Sequence, residues 1–178
     1  MICYGGLAVV FLFPGVVFLH VLDMDDAVGR RRPAHWPLNE ASQTIVFLTV
    51  CTVGKKSILA NEDVHRVLLT AWQEARSWWV GRYVIMPNHV HLFCAPGEIP
   101  PAPLGKWVAY WKSWAARNWP RGGEAPVWQR DFWDTQLRQG ESYAQKWEYV
   151  RRNPVEAGLV DQPDDWLYQG EIEVLTWR

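Results

Sequence analysis

The segment YVIMPNHVHLFCAP, residues 83–96, contains two histidines one residue apart in a run that is otherwise mostly apolar. Side chains two residues apart on a strand point to the same face, so His89 and His91 are expected to project together. Two neighbouring imidazoles can bind a divalent cation, because neutral histidine is a common metal ligand. A histidine pair on the solvent-facing side of a sheet fits the same spacing without a metal, so the spacing alone leaves both interpretations open.

Two histidines do not complete a metal site, and the segment ESYAQKWEYVRRN, residues 141–153, offers further groups. A helix is predicted there, and Tyr149 and Asn153, four residues apart, would lie on one face of it. If that face meets the histidine strand, Asn153 can supply an oxygen ligand and Tyr149 a nucleophilic hydroxyl. A core tyrosine with its hydroxyl at the rim fits this spacing equally well.

The residues after His91 exclude two other histidine chemistries. A metallo-hydrolase pattern continues with an Asp-His pair, and a histidine-triad site needs a third histidine two residues further on. Here Leu92, Phe93 and Cys94 follow, so neither pattern is present.

Hydrophobic periodicity predicts four strands and three helices. Strands are expected in SQTIVFLTVCT, RYVIM, HVHLFCA and VWQRDFWDTQL. The first helix is expected from Glu62 to Val80, with Asn61 as its N-cap and Gly81 at its end. The other two helices are expected in LGKWVAYWKSWAARNW and in ESYAQKWEYVRRN, which ends before Pro154. Pro87 and Asn88 mark a tight connection between the second and third strands. The order of elements predicts an α+β, ferredoxin-like split βαβ sandwich. It has an antiparallel four-stranded sheet with helices on one face, and an additional C-terminal helix that carries Tyr149.

Composition favours a globular protein with an unevenly charged surface. The chain has 178 residues, 49% of them hydrophobic, and a formal net charge of -1. Residues 101–130 nevertheless hold five cations against Glu124 alone, which is typical of an anion-binding face. Three cysteines far apart in sequence, with no CxxC pair, indicate neither a disulfide framework nor a thiolate zinc site, and they favour the cytoplasm. Most of the 13 tryptophans are expected in the core, with one or two left to stack on unpaired bases.

The first 23 residues are almost wholly apolar and differ from the remainder. No basic residue precedes the apolar run, and Pro14 and Gly15 interrupt it, unlike a signal peptide. We expect Met24 to be the true start of the protein. The alternative is that the apolar segment is a membrane anchor, but we do not expect association with a membrane. The predicted domains are the extension 1–23, a basic arm 24–42, the main domain 43–168 and a tail 169–178.

Three segments, YVIMPNHVHLF, VWQRDFWDTQLR and YVRRNPVEAGLV, in this order and at this spacing, resemble the REP-associated tyrosine transposases. These are relatives of the insertion-sequence-200-like transposases among the HUH single-strand nucleases. The resemblance runs from about residue 30 to about residue 168. It implies that His89 and His91 are metal ligands, that Asn153 is the third ligand and that Tyr149 is the catalytic nucleophile. The implied cofactor is a divalent ion, Mg²⁺ or Mn²⁺, with no small-molecule cofactor.

The resemblance also implies a function. Such enzymes nick and join single-stranded DNA beside repeated palindromic hairpins, through a 5′-phosphotyrosine intermediate with a free 3′-hydroxyl, and the protein is expected to act as a monomer or homodimer. The expected DNA contacts are basic: Arg30, Arg31, Arg32, Lys106, Lys112, Arg117 and Arg130. Two alternatives stay open, a hairpin-binding protein that has lost cleavage and an unrelated metal-dependent hydrolase.

Overall fold

A computed structural model describes residues 44–137 and 140–176, which form a five-stranded antiparallel sheet with helices on both faces. The strands are β1 (Ile45–Cys51), β2 (Trp78–Ile85), β3 (His89–Pro96), β4 (Trp133–Leu137) and β5 (Gln169–Glu171). The α-helices are α1 (Glu62–Glu74), α2 (Leu104–Arg117), α3 (Gly140–Arg151) and α4 (Asn153–Glu156), and short 3₁₀ turns cover Val53–Lys55 and Pro163–Asp165. No helix in these described ranges is long and apolar enough to cross a membrane.

The strand order β4-β1-β3-β2-β5 confirms the α+β class and the split βαβ arrangement of the first four strands. The prediction of a four-stranded sheet was wrong, because β5 pairs with the outer edge of β2. Residues 169–171 were predicted to lie in the tail, beyond the domain boundary at residue 168. Their three-residue segment has no apolar alternation, and it joins the sheet through backbone pairing and the 3.3 Å ion pair between Arg82 and Glu171.

The two faces of the sheet bury separate hydrophobic clusters. Side chains such as Leu48 and Leu92 pack under α1 and α2, and Trp107 and Trp111 of α2 are buried in that cluster, as the core interpretation of most tryptophans predicted. Phe47, Phe93 and Tyr143 belong to the second cluster, which lies under α3. The additional C-terminal helix therefore covers the face opposite to α1 and α2.

Helix α1 begins where the sequence predicts and ends earlier. The Asn61 side chain accepts a hydrogen bond from the Val64 amide at 3.1 Å, which confirms the predicted N-cap. The helix stops at Glu74, whereas the prediction continued to Val80. Trp78 instead starts β2, because it pairs with Pro96 of β3. Its side chain is buried, and its indole N–H donates to the Ala102 carbonyl at 2.9 Å.

Gly81 lies inside β2 and does not terminate a helix. The register of β2 against β3 shifts between Val80 and Tyr83, and this bulge keeps both side chains facing the same core cluster. A Cβ atom on Gly81 would lie 2.7 Å from the Cγ of Leu175. Gly81 therefore allows the C-terminal segment to lie directly against β2.

We predict that Gly81→Ala destabilises the protein by about 1–3 kcal/mol, because the added methyl group overpacks against Leu175. Gly105→Ala is the matched control: this glycine lies in α2 with open space around its Cβ position, so alanine should raise stability by up to about 1 kcal/mol. Urea unfolding of the three proteins measures both effects. Equal stability of Gly81→Ala and the wild type would show that the C-terminal segment does not pack there.

Candidate active site

The two histidines lie at the start of β3, an inner strand between β1 and β2. Both are half-buried on the face covered by α3, and Val90 and Leu92 point into the core on the other face. The predicted projection of His89 and His91 from one face is confirmed.

The imidazole rings converge through their Nε2 atoms, which are 3.0 Å apart. The ring planes are inclined at 78° with centroids separated by 4.6 Å. His89 Nδ1 donates to the Asn88 side-chain oxygen at 2.7 Å, because a carbonyl oxygen can only accept. That donation leaves the Nε2 of His89 unprotonated in the neutral ring, with its lone pair directed toward His91.

The neighbouring strand orients the second ring. Thr49 of β1 lies opposite His91, and its hydroxyl is 2.9 Å from His91 Nδ1. A hydroxyl can donate or accept, so Thr49 supports either tautomer of His91. Partners of this kind at the outer nitrogen hold metal-binding histidines in position, and their removal typically lowers metal affinity about 10- to 100-fold.

Burial lowers the pKa of His89 to about 4. The ring is therefore uncharged at neutral pH, which is the form that binds a metal ion.

The turn that carries Asn88 is fixed by backbone hydrogen bonds. The Thr52 amide donates to the Asn88 carbonyl at 3.0 Å, and the Leu59 amide donates to the Pro87 carbonyl at 2.9 Å. Thr52 is fully buried. The position of the His89 partner thus depends on the end of β1.

The donor set fits a divalent ion only in part. Two imidazole nitrogens are present, but residues 44–137 and 140–176 contain no cluster of three or more His, Cys, Asp or Glu side chains able to hold a metal. If a cation is bound there, its further ligands would be oxygens from an amide, water or substrate, and such mixed nitrogen and oxygen sets suit Mn²⁺ and Mg²⁺.

Helix α3 packs on the histidine face through aromatic contacts. Tyr143 and Trp147 lie against Phe93, with ring centroids at 4.9 and 6.3 Å. Val150 is fully buried, whereas Tyr149 lies on the flank of the helix and is 42% exposed. Tyr149 is therefore accessible to a large substrate, which a core tyrosine would not be.

Lys146 lies between the tyrosine and the histidine neighbourhood. Its ammonium nitrogen is 5.1 Å from the centre of the Tyr149 ring and 4.8 Å from that of Phe47. Phe47 in turn stacks on His91 with ring centroids 5.4 Å apart. Burial raises the pKa of Tyr149, and the nearby Glu156 carboxylate raises it further.

Asn153 begins α4 and does not end α3. Arg152 separates the two helices, and Pro154 occupies the first turn of α4, where a missing N–H has no cost. The third predicted helix does end before Pro154, but at Arg151, two residues earlier than predicted. The Asn153 side chain is half-buried, and the backbone carbonyl of Asn153 accepts from the Ala157 amide at 2.9 Å. The role of the side chain as a ligand stays a prediction.

The predicted DNA contacts fall into separate groups. Arg30, Arg31 and Arg32 lie outside the described residues, whereas Lys106, Arg117 and Arg130 are exposed. Helix α2, which carries Lys106 and Arg117, covers the face opposite to the histidines. The structure therefore does not bring these two cations together with the histidine pair.

Lys112 differs from the expectation of a solvent-facing cation. It is buried, and its ammonium group donates to the carbonyls of Gln129 and Arg130, at 2.5 and 3.1 Å. These bonds join α2 to the segment before β4. The Lys112 side chain can be buried because these two carbonyls accept hydrogen bonds from its ammonium group. Helical periodicity in the sequence does not reveal such acceptors.

Sequence reasoning missed Thr49, Asn88 and Lys146. Asn88 could have been identified because its amide directly precedes His89 in the sequence. Lys146 could have been identified because it lies three residues before Tyr149, which places both on one side of a helix. Thr49 had no signal, because its contact depends on strand register.

Known proteins similar to this chain confirm the resemblance to the REP-associated tyrosine transposases. An Escherichia coli (strain K12) protein with that name is 26% identical over 124 residues, covering 68% of this chain and 73% of the relative. A Haemophilus influenzae protein named "Putative REP-associated tyrosine transposase" is 30% identical over 95 residues, covering 47% of this chain. That match spans about half, 53%, of the relative's length. No family model matches the chain.

A solved structure confirms the fold. A REP-associated tyrosine transposase bound to a REP hairpin superposes with a TM-score of 0.63, covering 80% of this chain and 82% of that one. Sequence identity between the two is 19%, so this likeness is one of fold.

We predict that His89→Ala and His91→Ala each weaken Mn²⁺ binding by more than about tenfold, since even the outer partners of ligating histidines contribute that much. His65→Ala is the control, because His65 lies on α1 and its Nε2 contacts the Tyr83 hydroxyl in the other core cluster. Isothermal titration with Mn²⁺ gives the affinities. Wild-type affinity in His89→Ala would exclude the pair as a metal site.

Proposed function

We propose that the protein nicks and rejoins single-stranded DNA beside hairpins, with Tyr149 as the nucleophile and a divalent cation bound by His89 and His91. One observation carries this proposal: the Nε2 atoms converge to 3.0 Å on the sheet face that is covered by the helix bearing an exposed tyrosine. The similarity to transposases, one of them bound to a REP hairpin, supports the substrate class.

The reaction exchanges one phosphate ester for another. The Tyr149 oxygen attacks phosphorus, a P–O bond to tyrosine forms and the P–O3′ bond breaks. The phenol proton is released to solvent, and the departing 3′ oxygen takes up a proton. The products are a 5′-phosphotyrosine and a free 3′-hydroxyl, so attack by a 3′-hydroxyl rejoins a strand without an external energy source. A bound divalent ion would polarise the phosphodiester and offset the charge that develops on its oxygens.

The chain's own groups position the reactants. Asn88 and Thr49 hold the outer nitrogens of the histidines, which keeps the Nε2 atoms directed to one point. Burial raises the pKa of Tyr149, so the phenol needs nearby positive charge to become a nucleophile. The Lys146 ammonium, 5.1 Å from the centre of the Tyr149 ring, is the proposed source of that charge, although burial lowers its own pKa. Asn153 is the proposed oxygen ligand.

A hairpin-binding protein without cleavage is the second candidate. It is supported by the likeness to a transposase whose structure was solved bound to a REP hairpin, since binding a hairpin does not require cleavage. Formation of a covalent adduct separates the two, because simple binding does not survive denaturation.

We predict that Tyr149→Phe folds and binds DNA but forms no denaturant-resistant adduct, because only the hydroxyl is consumed. Losing a hydroxyl hydrogen bond would cost on the order of 1 kcal/mol of stability, which the fold should tolerate. The assay is denaturing gel electrophoresis after incubation with Mn²⁺ and a labelled strand that carries hairpins from the host's repeated elements.

Tyr143→Phe is the matched control on the same helix. Tyr143 is 9% exposed and packs on Phe93, so DNA cannot reach it and the adduct should form at the wild-type rate. Tyr110, another exposed tyrosine, lies on α2 across the sheet. If Tyr149→Phe still formed the covalent adduct, another residue would be the nucleophile.

A further inference from the structure

Trp133 is an exposed tryptophan in the row of side chains that contains the histidines. It lies on β4 opposite Thr49 of β1, and Thr49 lies opposite His91 of β3. Residues directly opposite on antiparallel strands project to the same face. Because the Thr49 hydroxyl contacts the His91 ring, that face is the histidine face.

Trp133 lies near the histidine pair along this row and is accessible to solvent. Trp133 and His91 are separated by two strand spacings, roughly 10 Å. The Trp133 side chain is 50% exposed, although an indole normally gains by burial in a core of this size. Among the described residues β4 is the edge strand beside β1, so a flexible nucleic-acid strand can approach the indole from that edge.

Within residues 44–137 and 140–176, the tryptophans of α2 and the other exposed tryptophan do not offer this surface. Trp107 and Trp111, which lie between the predicted DNA contacts of α2, are buried in the core, and Trp114 is half-buried against the same cluster. Trp79 is 43% exposed, but it lies opposite Ala95, near the end of β3 farthest from His89.

We propose that Trp133 is a stacking platform for an unpaired nucleobase next to the phosphodiester held at the histidine pair. This inference rests on the proposed function, since it assumes that a single strand runs across the histidine face. An indole stacks on any base, so the platform contributes affinity and position without selecting a sequence. The neighbouring Lys146 ammonium can neutralise the backbone of the same strand.

The test measures binding of labelled oligothymidylate by fluorescence anisotropy, in metal-free buffer. Trp133→Leu should bind roughly 5- to 100-fold more weakly than the wild type, and Trp133→Phe should retain most of the affinity, because it keeps an aromatic face. Trp79→Leu is the control, and it should bind as the wild type does. Thermal unfolding of each variant verifies that it is folded.

A second probe identifies the interaction as stacking. On an oligonucleotide of the same length with abasic sites, the wild type and Trp133→Leu should bind equally, since no base remains to stack. Equal binding of the two proteins to oligothymidylate would overturn the platform, as would a loss of affinity in Trp133→Leu that persists on the abasic strand.

The covalent-adduct assay distinguishes failure of the Trp133 platform from failure of the proposed function. If the wild type forms the adduct with the hairpin strand while Trp133→Leu binds oligothymidylate normally, the platform fails and the proposed function stands. If the wild type neither binds oligothymidylate nor forms an adduct, the proposed function fails and the platform fails with it.

Discussion

The close approach of two imidazole nitrogens is the constraint on which the rest of the site depends. At 3.0 Å the two nitrogens are within hydrogen-bond distance, and a neutral His91 that carries its proton on Nε2 can donate to the unprotonated Nε2 of His89. Burial lowers the pKa of His89 to about 4, which keeps that ring uncharged at neutral pH. In the proposed function a divalent cation would replace this hydrogen bond, once His91 carries its proton on Nδ1 and both Nε2 lone pairs are free to bind. The hydrogen bonds of the outer ring nitrogens with Asn88 and Thr49 keep the rings from turning away.

The fold maintains this arrangement through two layers of packing. Helices α1 and α2 bury one face of the sheet, which leaves the histidines on the other face beside α3. The aromatic contacts of α3 with Phe93 fix the helix and leave Tyr149 on its exposed flank. The bulge at Gly81 lets the C-terminal segment close the far edge of the sheet, so β2 is paired on both sides.

Much of this architecture follows from local patterns, and the remainder depends on pairing between distant residues. Alternation predicts the histidine face, and an Asn61 cap predicts the start of α1, because both signals are local. The end of α1 was misplaced since Trp78 to Val80 continues an apolar helical pattern, and only pairing with β3 assigns it to β2. Thr49, the buried ammonium of Lys112 and β5 likewise depend on partners that are distant in sequence.

The most direct test of the cation site is pulsed electron paramagnetic resonance of the Mn²⁺-loaded protein, which detects the nitrogens coordinated to the ion. The account predicts hyperfine coupling to two imidazole nitrogens in the wild type, and to one in each single histidine variant at Mn²⁺ concentrations high enough to load it. A wild-type spectrum without any coordinated nitrogen would contradict the assignment of His89 and His91 as the metal site.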